Sequence, residues 1–85
     1  MKRFWIEFDR SLELPPGVAL GCGVTARDCE DALALVGARV FTGQTMPEPV
    51  RTVADADISE LDQNHVIPNM DDPVKRGIWF PRGYS

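Results

Sequence analysis

Apolar and polar residues alternate at the amino terminus, with Phe4, Ile6 and Phe8 set against Trp5, Glu7 and Asp9. In β-favouring residues this period of two predicts a strand with one strongly apolar face. Ser11 to Gly17 reads as a loop, because Pro15-Pro16-Gly17 disfavours helix and holds the backbone extended. Gly17 to Val24 then predicts a second strand. Val18, Leu20, Cys22 and Val24 fall on one face, and Ala19, Gly21 and Gly23 leave the other nearly bare. Glycine weakens a strand interior unless something approaches the backbone closely. A large ring on the neighbouring strand, such as Trp5, would serve; a flat shelf for a partner's chain or ring is the alternative.

Beyond Val24 the period changes. Thr25-Ala26-Arg27-Asp28 approximates a capping box, and Asp28, Glu30 and Asp31 suit the positive end of a helix dipole. Cys29, Ala32, Leu33, Val36 and Val40 recur at helical spacing, which predicts one principal helix over about residues 25–40. It either stops at Gly37 or runs on to Phe41. Thr42 to Pro49 is a loop. Val50 to Ile58 predicts a third strand, with Thr52, Ala54, Ala56 and Ile58 on one face and Val53, Asp55 and Asp57 on the other. The same residues also fit a short strand running into a helix through Leu61; the strand, with a helical turn at residues 59–62, is preferred because the sheet needs it. Asn64 to Pro73 is a polar loop, and Gly77 to Phe80 a final short strand ended by Pro81.

The implied order is β-β-α-β-(β). A first strand flanked by the second and third gives a mainly antiparallel sheet in the order 2-1-3, with the helix packed on one face: a small two-layer α+β sandwich in a single domain spanning residues 1–85. The opposite sheet face then needs a cover. The carboxy-terminal segment, a loop or a second copy of the chain could supply it, and the last of these predicts a homodimer. The run Gly23-Val24-Thr25-Ala26 followed by Glu30-Asp31-Ala32-Leu33 is similar to the strand-into-helix phrase of HicB-like antitoxin domains, which implies the same local topology over those residues.

An 85-residue chain buries only about 60–65% of the surface its unfolded form exposes, leaving little room for unpaired polar groups in the core. The net charge of −4 opposes long-range attraction to phosphate backbones and anionic membranes. Cys22 and Cys29 are too few for a disulfide framework and lack a zinc-site spacing, so both are expected as buried thiols acting as small hydrophobes. Met1-Lys2-Arg3 begins like a signal peptide, but Glu7 and Asp9 interrupt it, and no segment approaches the roughly 18 apolar residues of a spanning helix. The expected compartment is the cytoplasm.

Charge is unevenly placed. Residues 75–85 carry Lys75, Arg76 and Arg82 with Trp79, Phe80 and Tyr84 and no carboxylate, whereas Val53 to Asp72 holds six carboxylates and no Lys or Arg. The two segments either match each other or form a binding surface. Trp5, Arg76, Trp79, Phe80 and Arg82 are the candidate contact residues for a protein partner, because tryptophan and arginine are common interface anchors. Joined with Lys2, Arg3 and Phe4, the same patch could stack and neutralise single-stranded nucleic acid. The structural alternative places Ile78 and Phe80 in the core with Trp79 partly buried. Asp55, Asp57, Asp62 and His65 could bind a hard divalent cation or act as an acid and base pair; a solvated strand edge is the plainer reading. No Gly-x-Ser-x-Gly elbow occurs, and Asp28, Glu30 and Asp31 crowd the helix start that comes after Gly21-Cys22-Gly23, against a phosphate there. The sequence thus predicts a non-catalytic protein with no cofactor or metal, acting as a protein–protein interaction module or accessory subunit, with self-association and nucleic-acid binding as further options.

Overall fold

In a computed structural model, residues 1–84 form a four-stranded antiparallel sheet with one helix packed on a single face. The strands are β1 (Lys2–Glu7), β2 (Cys22–Ala26), β3 (Arg51–Val53) and β4 (Gly77–Phe80), in the order β3-β1-β2-β4, and the helix α1 spans Cys29–Arg39. This is the expected α+β sandwich, with the 2-1-3 order extended by β4 beside β2. Ser85, the last residue of the basic aromatic segment, lies outside the described residues.

The alternation of β1 sorts its side chains between two cores. Phe4, Ile6 and Phe8 face α1 with Cys22, Val24, Ala26 and Ile78; Trp5 faces the other way. From the helix, Ala32, Leu35 and Val36 are buried against them, and Val40 and Phe41 come just beyond its end. Phe41 closes this layer edge-on to Phe8, with ring centroids 5.2 Å apart. Each such fully buried apolar side chain contributes about 1.5–3 kcal/mol.

Several boundaries differ from the sequence expectation, each for a local reason. The second strand begins only at Cys22. Ahead of it the amide of Val18 donates to the Pro15 carbonyl, and Val18–Leu20 form a 3-10 turn that buries Val18 and leaves Leu20 39% exposed. Thr25 is not the helix cap. It stays in β2 opposite Arg3, buried, with its hydroxyl donating to the Pro73 carbonyl at 2.5 Å. Asp28 takes the capping role, its carboxylate accepting from the Asp31 amide at 2.8 Å. The helix buries Ala32, Leu35 and Val36, and Cys29, at its first position, is exposed. Of the two thiols only Cys22 acts as a core hydrophobe, and burial pushes its pKa up to about 12.

The third strand is also shorter than expected. It stops at Val53; Asp55 then adopts a left-handed conformation (φ 51°), and the Ala56 amide donates to the Arg3 carbonyl. That turn carries the chain across the sheet face away from α1. Residues 54–72 form two further 3-10 turns, Ile58–Glu60 and Ile67–Asn69, instead of a longer strand and an irregular loop. Ala56 and Val66 are buried there against Trp5, Trp79 and Phe80, with Val53, Ile58, Leu61 and Met70 around them. The face that lacked a cover is therefore covered by the chain itself. A second copy is not needed for that purpose, and the ground for expecting one on this face is removed.

Candidate functional site

The basic aromatic segment contributes its rings to the core. Trp79 and Phe80 are 1% and 3% exposed, and Trp5 on β1 is 5% exposed. Trp5 lies 6.1 Å from Trp79 and 5.6 Å from Phe80 between ring centroids. Simple alternation would send Trp79 and Phe80 to opposite faces. The register between β2 and β4 prevents this: Gly23 pairs with Phe80 and Val24 with Ile78, so Trp79 has no residue opposite it. Ile78 consequently joins the helix-side core, and both rings join the other.

The bare face of β2 is what admits these rings. A Cβ on Gly21 would stand 2.6 Å from Trp5, and one on Gly23 would overlap the six-membered ring of Trp79. Two indoles, one from each flanking strand, thus fill the shelf; the sequence suggested Trp5 alone.

Two of the segment's cations, Arg76 and Arg82, are engaged within the fold. Arg76 meets Asp31 in a bidentate pair, Nε to Oδ2 at 3.0 Å and Nη2 to Oδ1 at 2.5 Å, fastening the start of β4 to the first turn of α1. Arg27 donates to the same carboxylate. Led by Arg76, these bonds hold the Asp31 carboxyl well below the usual carboxylate range, and Asp31 in turn raises the Arg76 guanidinium. Arg82 lies 3.8 Å from Asp71, whose other oxygen accepts from the Gly83 amide. Among the described residues, the basic and acidic segments are matched by an ion pair at that one point. Lys75 and Arg76 share an end of the sheet with Lys2 and Arg3, whereas Arg82 lies at the other end, so the termini do not merge into one cationic aromatic patch.

The Asp31–Arg76 pair sets a pH dependence. Because the folded pKa of Asp31 is depressed, its stabilisation is present above the unfolded value of about 3.9 and is lost as pH falls from there toward the folded pKa. Arg76→Gln is expected to lower the urea midpoint at pH 7. The gap from the parent protein should narrow steadily below about pH 4. Equal gaps at pH 7 and pH 2 would show that the pair contributes through packing rather than charge.

Among the described residues, Asp55, Asp57, Asp62 and His65 do not come together as one constellation. The sequence places Asp55 and Asp57 on one strand face, but the strand ends before either. Asp57 caps the 58–60 turn, accepting from the Ser59 amide at 2.9 Å and its hydroxyl at 2.7 Å. Asp62 accepts from the amides of Asn64 and His65 at 2.8 and 3.1 Å and bonds the His65 ring at 3.0 Å. These bonds lower both carboxyls, Asp57 mainly through the Ser59 hydroxyl and Asp62 mainly through the Asn64 amide. Among the described residues no three His, Cys, Asp or Glu side chains gather where they could hold a metal ion. The carboxylates shape the covering segment.

Several clefts cluster at the end of the sheet where Leu20 projects. Three clefts border this side chain. One of about 290 Å³ is floored by Trp5, Val53, Ala56 and Val66. The second runs between Pro16 and Phe80, with Arg82 and His65 on its edges. The third lies beside Phe8 and the exposed Val50. The alternation around Leu20 points it inward, so sequence reasoning misses it; the Pro-Pro-Gly turn just before it is the available signal. Among the described residues no helix is long and apolar enough to cross a membrane. Comparison of the chain with protein-family models, with curated proteins and with solved structures finds no match.

Proposed function

We propose that this protein is a non-catalytic interaction module of the cytoplasm, working as an accessory subunit or by self-association, and that it meets its partner at the sheet end centred on Leu20. The observation that carries the reading is Leu20 itself, a large apolar side chain 39% exposed on a tight turn where three clefts converge. Apolar side chains ringed by polar groups are what protein interfaces bury at their centres. Of the five contact candidates, Trp5, Phe80 and Arg82 line these clefts, Arg82 from the rim and the two rings, 5% and 3% exposed, as buried floor. Arg76 and Trp79 do not. A nucleic-acid partner is less well supported, since the rings that would stack on bases are buried.

Placing a photo-crosslinking amino acid at position 20, and separately at the exposed helix position Ala34, tests the reading in cells that make the protein. Discrete adducts at position 20 but not at 34 are expected. No adduct at 20, or the same pattern at both positions, would reject the surface.

A further inference from the structure

Of the three clefts around Leu20, the one over Trp5 has the most defined chemistry. Its floor is apolar, made by Trp5, Val53, Ala56, Leu61 and Val66. Its charged rim consists of Glu7, Asp57, Glu60, Asp62 and a single cation, Arg51. Arg51 lies 3.5 Å from Glu7, and the same carboxylate accepts from Trp5 Nε1 at 3.0 Å, so this pair is internally matched. Asp57, Glu60 and Asp62 have no Lys or Arg partner among the described residues. Hydrogen bonding lowers the carboxyls of Asp57 and Asp62, so both stay ionised through the physiological range. The cleft therefore presents an apolar floor beneath a rim with an excess of negative charge, in which Asp62 pairs with His65 and Asp57 and Glu60 meet no cation among the described residues.

Its size narrows the occupant. A volume of about 290 Å³ falls at the lower limit of the roughly 300–1,000 Å³ typical of small-molecule pockets. That suits one long side chain better than a whole metabolite. A metal ion is not indicated, because the carboxylates do not gather on one point. Lysine and arginine match both parts of the cleft: their aliphatic stems lie along apolar surface while the charged head stays at a polar rim. Leu20 forms one wall, so an apolar residue next to the cation would lie against it.

Resting on the interaction reading above, we infer that the Trp5 cleft receives a lysine or arginine side chain from an apolar-flanked basic segment of a partner protein. The stem would lie over Trp5 and Val53 and the head among Asp57, Glu60 and Asp62. Such a contact is individually weak and salt-sensitive, as partly exposed ion pairs are.

The test is an amide and indole NMR titration of the intact protein with the blocked tripeptide acetyl-Leu-Arg-Leu-amide, its lysine counterpart and its neutral citrulline counterpart. The cationic peptides are expected to shift the Trp5 indole signal and the Val53, Ala56 and Leu61 amides. Citrulline should bind about fivefold more weakly, the upper range for one partly exposed ion pair. Glu60→Gln should weaken arginine binding by about twofold to fivefold while leaving the amide spectrum of the free protein dispersed. Equal shifts with citrulline, or shifts spread over the Asp28–Asp31 carboxylates as strongly as over the cleft, would overturn the inference. So would the same cleft signals moving with protein concentration alone, because a second copy would then be the occupant. Position-20 adducts without peptide binding would leave the interaction module standing and remove only the basic partner. Peptide binding without adducts would support the cleft and remove the module.

Discussion

Ending the chain after Val74 is expected to leave it unfolded, with its amide spectrum collapsed into the narrow random-coil range. The residues lost include Ile78, Trp79 and Phe80, all at most 3% exposed and divided between both cores. At about 1.5–3 kcal/mol for each buried side chain, the three supply roughly 5–9 kcal/mol. The total stability of an 85-residue domain is about 4–13 kcal/mol. The truncation also exposes the outer edge of β2 and removes the Arg76 clamp on α1, so little remains to hold the covering segment in place. A dispersed spectrum with only local changes would mean that β4 is an appendage, and the structural account of the second core would fail.

The second large effect is expected from a single methyl group. Gly23→Ala places a Cβ within 2.3–2.5 Å of three ring atoms of Trp79, which is 1% exposed. Gly23 pairs with Trp5 on one side and Phe80 on the other, so neither neighbouring strand can shift without disturbing a second ring. Overpacking a close-packed core costs about 1–3 kcal/mol, and this site belongs at or above the top of that range. A loss of about 3 kcal/mol in a urea melt is the expected result. Trp79→Ala alone should cost about 3–5 kcal/mol by leaving a cavity. Combined, the two changes should cost clearly less than their sum, since the methyl occupies part of the space the indole vacated. Strict additivity would show that the glycine serves the strand backbone and not the ring.

These effects are only partly visible in the chain itself. The bare face of β2 announces that a ring must cover it, and Trp5 is a reasonable candidate because it lies on the neighbouring strand. Trp79 is not, because its place over Gly23 depends on the one-residue shift in the pairing of β2 with β4. A register shift is set by what packs on either side of the sheet, and period-two patterning carries no trace of it. Arg76 likewise looks like part of an open cationic patch. Its partner, Asp31, lies 45 residues earlier in the chain, on the helix, and only the placement of β4 beside β2 brings them together.

The candidate site shows the same division. Asp57, Asp62 and His65 are conspicuous as residue types, yet their side chains bond to groups two or three positions away and fold the segment 54–72. Local bonds of this kind compete with a strand, which is why the expected strand from Val50 to Ile58 shortens to three residues. Alternation extended back through Gly21 places Leu20 on a buried face, but φ at that glycine is 127° and the strand has not yet begun.

Sequence alone determined the elements whose patterns repeat over several residues: the alternating first strand, the amphipathic helix and, from their succession, the α+β class. Each element arises from a periodicity that one face of the core enforces locally. The tertiary structure decided what covers the second face, where β4 pairs, which rings are buried and which side chain projects at the sheet end. Those outcomes rest on contacts between residues far apart in the chain, whose free energy appears only once the layers have met.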